Sequence, residues 1–159
     1  MFKKRKKVIY PRHGAGQIID EYKEEIDDGQ EKYYKIKFFN SPVTISVPVK
    51  KAEEMGLRLP LSKYKLRKEL KKLGKKVKID DSIMKNLDDI SKEKLLSGKL
   101  EDGIELINLF NSLAKKKEKE NKNFSYSASQ RLETAVNFLK SEIELVLGKN
   151  AVSRYNLLA

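Results

Sequence analysis

The chain has 159 residues, 39% hydrophobic and 36% charged, with a formal net charge of +12 and no cysteine. That length carries one ordinary domain or two small ones, and the composition excludes disulfides and thiolate metal sites. No apolar run approaches the length of a membrane span, and the basic start MFKKRKK leads into the broken stretch VIYPRHGAGQ rather than a signal-peptide core, so a cytoplasmic protein without a membrane partner is expected.

The first third reads as β structure. KVIY is a short strand and GQIIDEY a second. Between them, VIYPRHGAGQII holds a turn in which Gly14 and Gly16 give the backbone freedom to reverse. In EKYYKIKFF, Tyr34, Ile36 and Phe38 alternate with Tyr33, Lys35 and Lys37, the period of a half-buried strand. The preceding EEIDDGQE contains Asp28-Gly29, a strong hairpin signal. VTISVPV places Val43, Ile45 and Val47 on one face. Its Pro48 cannot donate to a ladder and belongs at a strand end or an edge. Four or five short strands with tight turns predict a small antiparallel barrel or rolled sheet.

After Gly56 the alternation stops. Ser62 is a plausible N-cap for a helix that Gly74 ends, and Asp80 to Leu96 reads as a second helix stopped by Ser97-Gly98. Gly103 to Ala114 carries Ile104, Leu106, Ile107, Phe110 and Leu113 at helical spacing, and AKKKEKENKN follows as a polar connection. SYSASQRLETAVNFLKSEIELVLG is the clearest helix. Leu132, Val136, Leu139, Ile143 and Leu147 form its apolar stripe, and Gly148 caps it. The tail AVSRYNLLA is either a short final helix or a frayed end. The fold class is α+β, with a β unit over 1–57, a helical unit over 58–159 and no internal repeat.

The charge is unevenly spread. Residues 58–100 hold 14 basic and 6 acidic side chains, a net of +8, against +3 before them and +1 after. Lys63, Lys65, Arg67, Lys68, Lys71, Lys72, Lys75, Lys76 and Lys78 face only Glu69 within that run. A charge run is often just a solvated face. An excess this large and local also suits phosphate, because each neutralised phosphate releases counterions. It carries no sequence specificity, which needs base contacts or DNA deformation.

Catalytic constellations are hard to build here. His13 is the single histidine, no GxSxG elbow or GxxxxGK[ST] loop is present, and HGAG is too short for GxGxxG. One histidine with scattered carboxylates gives no metal-ligand spacing. The pairs Asp27-Asp28, Asp80-Asp81 and Asp88-Asp89 fall in turns or on polar helix faces. A non-enzyme without cofactor is expected, with His13 as a turn residue. A hydrolase using His13 is the disfavoured alternative.

VIYPRHGAGQI, the hairpin, YYKIKFF and VTISVPVKKAEEMGLR together resemble the CarD/CdnL family of bacterial RNA polymerase-binding transcription regulators. The matching residues are Tyr10, Pro11, Gly14, Gly16, Val47, Pro48, Gly56, Leu57 and Arg58. LLSGKLEDGIELINLF and FSYSASQRLETAVNFLKSEIEL resemble the family's later helices, so the likeness covers nearly the whole chain. It implies a Tudor-like RNA polymerase-interacting domain over 1–57 that docks on the polymerase β subunit, largely by strand addition. It implies a helical domain over 58–159 on double-stranded promoter DNA at the upstream edge of the bubble, largely independent of sequence, in a monomer. The implied polymerase contacts are Glu24, Thr44, Ile45, Ser46 and Val47. The implied DNA contacts are Met84, Lys85, Lys76, Lys78, Lys92 and Lys94.

Departures from the family pattern bear on both surfaces. There is no tryptophan, and the family's minor-groove tryptophan falls on Met84, a flexible apolar side chain of a kind that can still wedge between bases or simply pack between helices. The arginines that usually follow fall on Asn86 and Leu87, and lysines nearby lack arginine's planar fork. Positions that are basic in some members are Glu24 and Ser46 here, and Arg5-Lys6 replaces a Gly-Asp. The alternative keeps the fold and changes the function, to a general nucleic-acid-binding or nucleoid-associated protein without polymerase docking.

Overall fold

Alternation in the first third becomes a curled four-stranded antiparallel sheet in the computed structural model, which describes residues 1–155 and 157. Its strands are β1 (Lys7–Tyr10), β2 (Gly14–Ile26), β3 (Gly29–Phe38) and β4 (Thr44–Pro48), paired in sequence order. The β2–β3 ladder is longer than GQIIDEY alone suggests, running from Gly16 opposite Phe38 to Ile26 opposite Gly29. The turn is Asp27-Asp28, one residue earlier than the Asp28-Gly29 signal, and Gly29 already belongs to β3. A register shift between Ile18 and Asp20 marks a bulge, which bends the hairpin and deepens its twist. Pro48 closes β4, as its missing N–H requires.

The pleat sorts the side chains. Val8, Ile18, Tyr34, Ile36, Phe38 and Val47 are buried on the inner face with Ala52 and Leu57. Phe2 closes the end of this core, its ring edge-on to Tyr34 at 6.0 Å while its backbone N–H donates to the Tyr34 hydroxyl at 3.0 Å.

The rest is helical: α1 (Lys63–Leu70), α2 (Asp81–Lys85), α3 (Leu87–Ser97), α4 (Leu100–Lys119) and α5 (Tyr126–Leu147). Ser62 caps α1 by accepting from the Lys65 N–H, and a turn carries the chain on to Gly74. The single helix expected from Asp80 to Leu96 is divided. Asn86, at φ −105° and ψ 13°, ends α2 and precedes α3, and its side chain donates to the Ser82 carbonyl. Asparagine competes with the helix for backbone partners, which is why it breaks one here. α4 runs well past Ala114 into the lysines expected to form a connection, because that stretch has strong helix formers and no glycine or proline. α5 starts after the Ser125 cap and stops at Gly148. Of the tail, Lys149–Arg154 forms a 3-10 helix, and the expectation for Asn156, Leu158 and Ala159 lies outside the described residues.

A second core joins Leu66 and Leu70 of α1, Leu95 of α3, Ile104, Ile107 and Phe110 of α4, and Ala135, Leu139 and Ile143 of α5. Burying each large aliphatic side chain stabilises the fold by about 1.5–3 kcal/mol. Ile9 and Ala15 of the sheet sit in this helical core.

The joint between sheet and helices is built from the Tyr-Pro-x-x-Gly-x-Gly and Gly-Leu-Arg segments. Ile9 and Arg58 exchange backbone hydrogen bonds at 2.8 and 3.0 Å. The Arg58 guanidinium donates to both Glu142 carboxylate oxygens, at 2.9 and 2.6 Å, and its Nε donates to the Gly98 carbonyl at 2.7 Å. Glu142 also accepts from the Leu61 N–H at 2.9 Å, so this fully buried carboxylate is satisfied. Beside it, Ser141 Oγ accepts from the Ala15 N–H at 3.0 Å, and Gly14 approaches so closely that a Cβ there would lie 2.0 Å from that oxygen.

Candidate polymerase- and nucleic-acid-binding surfaces

β4 pairs with β3 along one side, and its other side has no ladder partner among the described residues. Pairing register fixes what the strand presents. Ser46 lies opposite Lys35, Lys35 opposite Asp20, and Tyr33 opposite both Tyr22 and Pro48, so these share the outer face. Thr44 and Glu24 fall on the same face by the strand period, and Glu24 faces Glu31 across the hairpin. Tyr22 and Tyr33 stack at 5.7 Å, and the Tyr22 hydroxyl donates to Ser46 Oγ at 2.6 Å. Of the expected polymerase contacts, Glu24, Thr44 and Ser46 are exposed, Glu24 lying six residues along β3 from Thr44, and Ile45 is half-buried. Val47 is fully buried in the sheet core, so it can offer a partner only its backbone.

The expected DNA contacts do not form one cluster. Met84 is 38% exposed and belongs to neither core, whereas its neighbour Ile83 packs against the helical one. Lys85 is exposed beside it. Lys76 and Lys78 are exposed on an extended segment whose alternate residues, Val77 and Ile79, turn inward. That segment is pinned to α4, where Ser112 Oγ accepts from the Val77 N–H at 2.9 Å and Asn108 bridges Gly74 and Lys72.

Lys92 and Lys94 diverge on α3. Lys92 lines a cleft with Arg12, Tyr126 and Arg131, and Arg131 is paired with Asp88. Lys94 turns to α4 and meets Glu105 at 2.5 Å and Asp102 at 3.6 Å. Burial pulls its pKa down, and the two carboxylates more than offset this, so the net shift is upward. Its charge is largely spent within the fold, which leaves it poorly placed for a phosphate.

Sequence reasoning missed the lysines of α4. Lys115, Lys116 and Lys119 stand on the helix beside Lys76, around a groove that also holds Val77 and Ile79. The readable signal was the absence of any breaker from Ala114 to Glu120.

His13 is a half-buried turn residue, stacked on Phe38 at 4.9 Å and on Tyr10 at 6.2 Å. Burial lowers its pKa, and the Arg12 guanidinium lowers it further. Among the described residues, no group of three or more histidine or carboxylate side chains is placed to hold a metal. No helix among the described residues is long and apolar enough to cross a membrane.

Residues 2–65 match the model of the CarD-like/TRCF RID domain. Over 149 residues the chain is 27% identical to "Putative transcription factor YdeB" of Bacillus subtilis (strain 168), covering 93% of this chain and 94% of that protein.

Proposed function

We propose that the chain is a member of the CarD/CdnL family with a transcription-related role, that it docks on the β subunit of RNA polymerase, and that it contacts promoter DNA beside the bubble. The observation that carries the reading is the open side of β4. Strand addition needs an edge with unused backbone groups, and specificity then comes from alternate side chains. Thr44 and Ser46 would face the partner on the outer surface, with Glu24 further along the hairpin and the backbone of Ile45 and Val47 completing the edge. Glu24 introduces an acidic group where some family members are basic, which tunes affinity without disturbing backbone pairing.

The working units in this reading are residues 1–57 for polymerase and 58–159 for DNA. Lys76, Lys78, Lys85 and Lys92 hold phosphates from exposed positions, and Met84 supplies an apolar wedge at the minor groove. The protein acts as a cytoplasmic monomer on the nucleoid, needs no cofactor, and modulates open-complex stability on duplex DNA of varied sequence.

A photocrosslinking residue at Ser46 of the full chain tests the docking. It should capture the β subunit from purified polymerase. Capture of another subunit, or of none, would contradict it. Retention of salt-dependent duplex binding in that case would leave a general nucleic-acid-binding protein, a reading that the +8 excess of residues 58–100 favours.

A further inference from the structure

A cleft of about 320 Å³ opens where the turn after α1, the second half of α4 and the 3-10 helix at Lys149–Arg154 meet. Lys75 and Lys76 line it from the turn side, Lys115 from α4 and Arg154 from the 3-10 helix. Asn111, Ser112 and Tyr155 add polar groups to the walls, and among the described residues no carboxylate lines the cleft. None of these four cations makes an ion pair with a carboxylate among the described residues, whereas Lys72 and Lys94 do.

Gathering four like charges around one small volume is unfavourable unless something neutralises them. Here the fold holds them there. Asn108 ties Gly74 and Lys72 to α4, and Ser112 ties Val77, so the Lys75-Lys76 segment is fixed against the Lys115 turn of the helix. The hydrogen bonds that hold this segment belong to backbone N–H and C=O groups, which leaves the lysine heads available for a ligand.

We propose that this cleft binds a compact oligophosphate, such as a triphosphate chain or the polyphosphate end of a nucleotide. Lys76 borders both this cleft and the promoter-binding surface, and Arg154 on the 3-10 helix is what sets the cleft apart. A duplex spreads its charge along an axis, about one charge per 1.7 Å, while these cations border one concavity from three elements. A chain of linked phosphates concentrates several negative charges in that space, and the volume falls at the lower end of the range for small-molecule sites. Arg154 offers a planar fork for two phosphate oxygens, and the lysines act as point charges around it. The site is separate from polymerase docking and does not depend on it.

The test is calorimetric titration of the full chain with sodium tripolyphosphate at fixed ionic strength, with sulfate as the control anion. A saturable one-to-one isotherm is expected for tripolyphosphate and none for sulfate. Lys115→Ala and Arg154→Ala, both at exposed positions, should each weaken binding by about tenfold, as loss of one charge-assisted contact does. Unchanged far-ultraviolet circular dichroism would show that each variant is folded. The proposal is overturned if tripolyphosphate gives no saturable heat, or if the two variants bind it as the parent does. It is also overturned if they lose only duplex affinity, since the cleft would then belong to the DNA surface.

Discussion

Arg58 and Glu142 form a two-pronged ion pair, at 2.9 and 2.6 Å, that joins the segment leaving the sheet to the C-terminal third of α5. Glu142 is fully buried, while Arg58 keeps 21% of its side chain in contact with solvent. Removing the arginine strands a carboxylate in the joint. Arg58→Ala should therefore destabilise the protein by about 3–5 kcal/mol in urea unfolding. Arg58→Lys should recover only part of this, because an ammonium cannot donate to both oxygens and to Gly98 at once. A loss below about 1 kcal/mol for the alanine variant, the range of an exposed pair, would show that the pair is not what holds the units together.

The same joint constrains its glycines. Gly56 has φ +98°, and a Cβ there would lie 2.5 Å from Pro11 Cγ. Gly74 has φ +88° with nothing near its missing Cβ. Both substitutions to alanine bear the left-handed strain, about 1–2 kcal/mol, but only Gly56→Ala also forces the chain apart. Thermal unfolding should rank Gly56→Ala well below Gly74→Ala. Equal losses would mean that the contact with Pro11 relaxes freely.

His13 sets a pH dependence. Its folded pKa is lowered by burial and by Arg12, so the unfolded chain takes up the proton first as pH falls. Its stabilising contribution is complete above the ordinary histidine value, about 6.5, and is lost as pH drops through the interval between that value and the lower folded one. A His13→Gln variant should show a flatter stability profile from about pH 7 to 5. Titration of the His13 ring by NMR should give a midpoint below 6.5, and a midpoint above it would reverse the sign.

The lysines divide by what they touch. Lys94→Ala should leave duplex affinity and its salt dependence unchanged, since Glu105 and Asp102 already hold that charge. Lys78→Ala and Lys85→Ala, each removing an exposed charge, should each reduce the salt slope by about 1. Fluorescence anisotropy across a salt series measures both. A slope lowered by Lys94→Ala and untouched by the others would invert the proposed DNA face.

Much of the fold was legible because its signals are local. The Tyr34, Ile36, Phe38 alternation marks the buried face of β3, Pro48 marks the end of β4, and Ser62 and Gly148 mark helix ends. The break at Asn86 was not, because an asparagine within a helical pattern is tolerated or not according to what its side chain finds. The surfaces were legible only in part. Sequence spacing put Lys92 and Lys94 together, but two residues on a helix are about 200° apart, and one faces Arg131 while the other faces Glu105. The proximity of Lys75, Lys115 and Arg154 is a long-range property that no window of sequence contains. Met84 looked equally suited to core or wedge, and its exposure settles only that it lies outside both cores.

The most direct measurement is calorimetric titration of the full chain against a purified β-subunit lobe of RNA polymerase from the same organism. Docking through the β4 edge requires a saturable one-to-one isotherm that survives Met84→Ala and Lys85→Ala, which lie on the helical unit. No heat of binding from a folded protein would contradict polymerase docking and leave the DNA surface as the functional one.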